Sequence, residues 1–428
     1  MKINAKKLNW GRNINVNPKI YYPKNLNDLK KINNKNFIIF GGGRSYGDTA
    51  VNKNSLVSLK YFNKIIKYDK IKGIIEVESG IILINLLKEI TKDKWFVPVT
   101  PGSKYVSLGG MVANNVHGKN IKNNQLKHYI NNIKLVTKTN NIINCSKKNN
   151  KKLFDLTIGG FGLTGTILTV TLKLKKVNSL FLNQKIYEFN GYNHFFSLSS
   201  FEKSYEYSVY WIDNFSKNKI SGLNFLSKHS KKNLDKNIII TDKKINLFSY
   251  MILKLMISNY IILKVANFFY KKLNKYFYKK IENYNKVFYP QDIYTDWNKI
   301  YGNKGFFQIQ ILIPQKKFIY TMNKISLFFK KNDLFSTFIV IKKIAENGNY
   351  LNFYGKGYSI SMDFKINTKK KVIQNYFHNL VLEENFRINL SKDSTAYKKT
   401  ISHLRDYKNF KRDIKKYKKF SLFSERLL

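Results

Sequence analysis

The chain has 428 residues, with 77 Lys+Arg against 26 Asp+Glu and a formal net charge of +51. Hydrophobic residues make up 43% and aromatics 15%, which excludes a disordered chain, since disorder needs low hydrophobicity alongside its charge. The length suits about two to four domains.

Nucleic-acid binding is the obvious reading of +51, and the kind of charge speaks against it. Only six residues are Arg (Arg12, Arg44, Arg387, Arg405, Arg412, Arg426) and 71 are Lys, whereas base reading and phosphate clamping lean on the bidentate Arg fork. The Lys excess travels with Asn, Ile and Tyr and with only six Pro, the signature of A/T-rich codons. Most of the charge is therefore read as compositional bias, and no nucleic-acid partner is expected. The single Cys145 excludes an internal disulfide and a Cys-based metal site, and no metal is expected. Residues 1–15 are polar and basic, without the apolar run of a signal peptide. Lys254 and Lys264 break residues 245–269 into apolar runs of nine, too short to span a bilayer. The expectation is a cytoplasmic protein, free or peripheral on the inner face of a membrane.

Residues 37–175 alternate short β-branched runs with glycine-rich turns. Strands are predicted at 37–40, running into Gly41-Gly42-Gly43, and at 73–78. Leu83, Leu86, Leu87 and Ile90 share one face of a helix predicted within 82–92. A hairpin is predicted from 133–137 and 142–145, turning at Asn140-Asn141, and a half-buried strand at 166–174. Beyond residue 178 glycine thins out, helical stretches appear at 247–280, and strands resume at 306–313, 335–341 and 358–364. A basic segment from Arg387 closes the chain. The fold class is α+β.

Four glycine-rich segments lie in the first 170 residues. They are Gly41-Gly42-Gly43-Arg44-Ser45-Tyr46-Gly47-Asp48; Pro101-Gly102-Ser103; Gly109-Gly110 with Asn114-Asn115-Val116-His117-Gly118-Lys119-Asn120; and Gly159-Gly160-Phe161-Gly162-Leu163-Thr164-Gly165. Glycine lets backbone amides approach an anion closely, so loops of this kind on separate strands suit a long pyrophosphate cofactor. One such loop alone reads as a tight turn in a β-rich domain; four with polar neighbours inside one domain do not. Neither a P-loop nor a Rossmann fingerprint matches, and the bulk of Arg44, Ser45 and Tyr46 stands where a Rossmann helix must pack.

These loops resemble the FAD-binding domain of the vanillyl-alcohol-oxidase, or PCMH-type, flavoproteins. Segments at Tyr207-Ser-Val-Tyr-Trp-Ile-Asp213, Trp297-Asn-Lys-Ile-Tyr-Gly302, Phe307-Gln-Ile-Gln-Ile-Leu-Ile-Pro314 and Asn389-Leu-Ser-Lys-Asp-Ser394 extend the resemblance over nearly the whole chain. Within that superfamily they point to the branch that oxidises a lipid-linked ribose. The resemblance implies a PCMH-type FAD domain at 1–177, a substrate domain at 178–386 built on an antiparallel sheet covered by helices, and a segment at 387–428 returning to the FAD domain. It implies FAD held by the glycine loops, and held non-covalently, because the first loop has no His. It places His117 and Lys392 beside flavin and substrate, and Lys119, Gln308 and Gln310 in the substrate pocket. The family's Asn and Cys positions hold Ser359 and Ser361, which opens the substrate's identity and predicts insensitivity to inhibitors that trap the cysteine. Tyr46 either stacks on the cofactor or packs its loop.

The implied reaction is oxidation of a sugar hydroxyl, C2 of a polyprenyl-phosphate-linked pentose, with hydride passing to flavin N5 and Lys392 handling the hydroxyl proton. Oxygen or a quinone would reoxidise the flavin, and an NADH-dependent reductase partner would complete an epimerisation. The nearest rival is an aldonolactone oxidase acting on a free sugar lactone; the remote one is a basic nucleic-acid binder. Residues 247–280 read either as a core helix pair or as an interfacial segment whose lysines snorkel on an anionic bilayer.

Overall fold

A computed structural model describes residues 8–428 except 34, 217, 233, 235–237, 239–242, 403, 418 and 420. The first β-branched runs make a parallel sheet of β1 (Lys19–Tyr21), β2 (Ile38–Phe40) and β3 (Ser55–Ser58), ordered β1-β3-β2. Helix α1 (Leu26–Ile32) connects the first two and is capped by the Asn25 side chain, which accepts from Asp28 N.

An antiparallel sheet follows, made of β4 (Ile65–Asp69), β5 (Ile74–Glu78), β7 (Ile130–Val136), β8 (Ile142–Ser146) and β9 (Thr166–Lys173), in the order β4-β5-β9-β7-β8. β6 (Trp95–Phe96) and β10 (Lys175–Lys176) pair as a small ribbon. The predicted hairpin is β7–β8, and Asn140 in its turn has φ 66°, a left-handed geometry that Asn tolerates. The predicted helix is α2 (Leu83–Ile90), with Leu83, Leu86, Leu87 and Ile90 buried in the core it shares with this sheet. Helices α3 (Leu108–Ala113) and α4 (Lys151–Thr157) carry the chain into the third and fourth glycine segments.

The remainder is organised by an eight-stranded antiparallel sheet. Its strands are β11 (Phe181–Asn190), β12 (Tyr207–Ser216), β13 (Lys219–His229), β14 (Ile281–Asn283), β15 (Phe306–Ile313), β16 (Phe338–Glu346), β17 (Gly355–Lys365) and β18 (Arg387–Ile388). They run in the order β14-β11-β13-β12-β16-β17-β15-β18. β16 starts three residues after the predicted 335, because Ser336 Oγ and Thr337 N are taken up by the Asp363 carbonyl. The two-residue alternation of strands gives this sheet two faces. One carries Tyr210, Ile309, Ile341, Ile360 and Phe364 into a core shared with α5 (Tyr192–Phe201), α9 (Phe318–Lys331) and α10 (Lys370–Glu384). The other presents two cross-strand rows, Ile186–Phe225–Val209 and Trp211–Val340–Ser361–Gln310, with Gln308 opposite Asp363.

The stretch at 247–280 is α6 (Leu247–Met256) and α7 (Tyr260–Phe277), which meet at 110°. It is not a core pair: α6 has no buried residue and α7 buries only Leu263. Among the described residues no single helix is long and apolar enough to cross a membrane. Helix α8 (Tyr284–Phe288) leads back towards β15, and α11 (Lys398–Ser402), α12 (Arg405–Ile414) and α13 (Leu422–Leu427) follow β18.

α13 returns to the first glycine segment. Leu422 N donates to Val51 O at 2.7 Å. The Arg426 guanidinium forks onto Asp48, at 2.8 Å from Nε and 2.9 Å from Nη2, and also reaches the carbonyls of Asp393 and Ala396. One side chain thus clamps the first glycine loop to the loop after Lys392. With Asp48 nearly buried, Arg426→Ala is expected to cost about 3 kcal/mol of stability, the low end for stripping a buried carboxylate of its partner because Arg426 is partly solvated. Urea denaturation measures it, and Arg426→Lys should recover only part of the loss because the fork is gone.

Candidate active site

Between the glycine loops and the second face of the large sheet lies a cavity of about 710 Å³. Its first end is walled by Gly41, Gly42, Gly43, Arg44, Ser45, Tyr46, Pro101, Gly102, Ser103, Gly109, Gly110, Asn114, Gly162 and Gly165. Glycine is required at Gly41 and Gly42 for a specific reason. A Cβ on Gly42 would collide with Tyr105 O, and one on Gly41 with Ser107 Oγ, so the first two loops touch backbone to backbone across this wall. Arg44 lies 3.8 Å over the Trp10 ring and donates to Thr295 O, while its Nε is buried without a hydrogen-bond partner among the described residues. Asn114 Oδ1 is buried and unpartnered in the same sense, and Lys60 also faces the cavity. Side-chain-free loops, two cations and unpartnered polar atoms fit a long cofactor with a diphosphate. These residues fit FAD, and the absence of a His in the first loop fits a non-covalent complex.

Five residues of the cofactor set, Gly47, Asn115, His117, Gly118 and Gly160, do not line the cavity. Gly47 packs against the Asp393 carbonyl, Gly118 against Asn120 and Gly160 against the Leu156 carbonyl. Asn115 is held at φ 39° by Gln125, its Nδ2 donating to Oε1 at 3.0 Å. Their small size or special backbone serves chain packing. The Tyr46 ring packs edge-on against Phe306 and also lines the cavity.

The polar end of the cavity is built on β15, β16 and β17. Lys119, Lys342 and Lys392 line it together with Gln308, Ser361 and Asp363. Burial lowers Lys119 to about 8. Burial also lowers Lys392 to about 8, partly offset by Asp363, and its Nζ lies 5.5 Å over the Tyr46 ring. Lys342 is pushed well below the usual lysine range by burial, then by the charges of Lys392 and Lys119. Burial raises Asp363 to about 7, against a 2.5 Å hydrogen bond from Gln308 Nε2 and the charge of Lys392.

Behind this wall a hydrogen-bonded chain fixes the lysine loop. Gln310 Nε2 donates to Ser359 Oγ at 2.6 Å and lies 3.1 Å from His117 Nε2, while its Oε1 accepts from Asn389 Nδ2 at 2.9 Å. Asn389 O then accepts from Lys392 N at 3.1 Å. His117 is held well below the usual histidine range by burial, then by Lys342 and Lys392, so it is neutral and takes the Gln310 hydrogen bond on Nε2. His117, Gln310 and Ser359 therefore position the site, whereas Gln308, Ser361, Lys119 and Lys392 face its interior.

Two interior groups, Lys342 and Asp363, were absent from the sequence-based set. Asp363 shares a strand face with Ser359 and Ser361, so alternation carried two residues further would have found it. Lys342 falls one residue beyond the strand predicted to end at 341.

Residues 24–146 match the family model for an FAD binding domain. The chain is 26% identical over 382 residues to decaprenylphosphoryl-β-D-ribose oxidase of Mycolicibacterium smegmatis, a match covering 84% of this chain and 81% of that protein. It is 27% identical over 172 residues to L-gulonolactone oxidase of Bos taurus, covering 39% of each chain. It is 26% identical over 184 residues to a putative D-arabinono-1,4-lactone oxidase of Neurospora crassa, covering 41% of this chain and 33% of that protein. With the loop-built cofactor cavity and the α+β architecture, these matches make the chain an FAD-dependent oxidoreductase acting on CH–OH groups, similar to the FAD-linked oxidases with a PCMH-type FAD-binding domain.

Proposed function

We propose that this enzyme oxidises C2 of a pentose joined through phosphate to a polyprenyl chain, the first half of an epimerisation. The observation that carries the reading is the trio Lys119, Lys342 and Lys392 on one wall of the cavity, with Asp363 as the carboxylate that opposes Lys392. Burying three ammonium groups together is costly unless an anion joins them, and a phosphate-linked sugar brings that anion where a neutral lactone does not.

Bound FAD supplies the hydride acceptor. With its ammonium lowered to about 8, Lys392 exists as the neutral amine in about one molecule in ten at pH 7, able to take the hydroxyl proton as the C–H bond breaks. Asp363, raised to about 7, sits in the same field and can exchange a proton with that amine. Gln308 and Ser361 offer hydrogen bonds to the sugar, and Lys119 and Lys342 hold the phosphate. An oxygen or quinone acceptor and an NADH-dependent reductase belong to this reading as its expected partners.

The second reading, an aldonolactone oxidase, draws support from the likeness to lactone oxidases, which covers about two fifths of the chain. Anaerobic bleaching of the flavin separates the two. Polyprenylphosphoryl ribose should bleach it and L-gulono-1,4-lactone should not; the reverse result overturns the proposal. Lys342→Ala should raise KM for the phosphate-linked sugar about tenfold or more with a smaller change in kcat. Raising the pH through about 8 removes the proton from Lys119, so the wild-type KM should climb there as positive charge leaves the site.

A further inference from the structure

We infer that the α6–α7 hairpin is an interfacial anchor for an anionic bilayer, set so that the apolar end of the catalytic cavity opens at the membrane. The inference deepens the proposed function by assigning the route of a lipid-linked substrate.

α7 touches the protein along one stripe. Leu263 is buried, Asn267 donates to Asp213 O, Tyr270 packs edge-on against Trp211 at 4.8 Å, and Lys271 pairs with Asp213 at 2.8 Å. These positions recur at helical spacing and leave the opposite face bare. That face is apolar: Ile261 is 71% exposed, Val265 51%, Phe268 52% and Phe269 59%, and Leu247 and Phe248 on α6 are 75% and 73% exposed. A helix of this length with four internal lysines, bent away from its neighbour by 110°, is suited to lie in the interface plane and not to cross it.

Charge selects the occupant. From Lys243 to Ile281 there are nine lysines and no Asp or Glu. Lys254, Lys264 and Lys272 lie over the rings of Tyr250, Tyr260 and Phe268, apolar stems along the helix and ammonium groups outward. A second copy of this face would set lysines against lysines, whereas an anionic bilayer supplies both the opposite charge and the apolar phase.

The cavity connects this surface to the chemistry. Tyr270, Asn274 and Phe277 of α7 line it, as do Ile186, Val209, Trp211 and Phe225 on the adjacent strands. Across the sheet its lining is mainly apolar on β11, β13 and β12, with Gln184, Ser208 and Ser227 among the apolar side chains, and gains its charged groups, Lys342 and Asp363, on β16 and β17. A phosphate at the lysine trio with its hydrocarbon chain running under α7 matches that gradient.

Flotation of the FAD-loaded enzyme with vesicles tests the anchor without any substrate. Wild type should float with phosphatidylcholine vesicles containing 30% phosphatidylglycerol, and much less with pure phosphatidylcholine or in high salt. The triple variant Leu247→Ser, Phe248→Ser, Ile261→Ser changes only exposed side chains; it should lose at least tenfold in flotation and keep flavin reduction by a water-soluble, short-chain phosphate-linked ribose. Wild type that stays unbound, or a triple variant that floats equally well, overturns the inference. So does a wild-type dimer that the triple variant converts to monomer without any flotation, since a second copy would then occupy the face. If the enzyme floats but no phosphate-linked sugar bleaches the flavin, the substrate reading fails and the anchor stands.

Discussion

Lys392→Met should leave a yellow, folded enzyme whose flavin is reduced by substrate about 10²–10⁴-fold more slowly, the usual scale for removing a positioned proton acceptor. The substitution keeps the length and apolar stem of the side chain and deletes the amine. Flavin retention should be unaffected, because the substitution leaves Gly41, Gly42 and Arg44 of the cofactor wall unchanged. The pH profile gives a second readout. In wild type the neutral amine becomes more abundant as pH rises towards about 8, so the rate of reduction at saturating substrate should rise through that range. In Lys392→Met that limb should vanish, and Lys392→Arg should not restore it, since a guanidinium does not release its proton there. Stopped-flow absorbance measures both, and an unchanged reduction rate would remove Lys392 from the chemistry.

Gly42→Val should produce the complementary phenotype, a chain that loses its flavin. Any Cβ at this position meets the Tyr105 carbonyl, with Ser107 N and Val106 Cα 3.1 Å away, and backbone cannot swing aside as a side-chain tip can. Relief requires the first and second glycine loops to separate. Overpacking of this kind costs about 1–3 kcal/mol, concentrated where the cofactor is expected, which corresponds to about a tenfold to hundredfold weaker hold on FAD. Gel filtration followed by the visible spectrum measures it.

Much of this site was legible in the residues, and the failures have physical causes. The hairpin at Asn140, the helix carrying Leu83 and Leu87, and the strand holding Gln308 and Gln310 all follow from periodicity and turn chemistry. A glycine needed for close approach to a ligand and one needed for close approach to backbone look identical in a sequence, and Gly47, Gly118 and Gly160 are close to backbone or to Asn120. Lys342 was lost to a strand boundary displaced by a few residues, the least determinate feature of any periodicity. Among 71 lysines, nothing local marks one as buried. Burial there is decided by β12, β17 and the loop of Lys392, which reach it from distant parts of the chain. The hairpin at 247–280 was ambiguous for a related reason. Apolar residues with lysine punctuation describe a core helix rim and an interfacial face equally well, and only the bare outer surface of α7 separates them.

The fork between Asp48 and Arg426 joins residues 378 positions apart. The entropy of closing so long a loop grows only logarithmically with its length, so the bond is affordable at equilibrium, but contacts of such separation form late. Both large sheets can complete their hairpins from neighbours in sequence; the wall between the first glycine loop and the lysine loop cannot. The clamp exists only once α13, the last element of the chain, has docked on the first glycine loop. FAD arriving before that closure meets an open groove, and FAD arriving after it meets a clamped one, so the cofactor's capture belongs to folding as much as to binding.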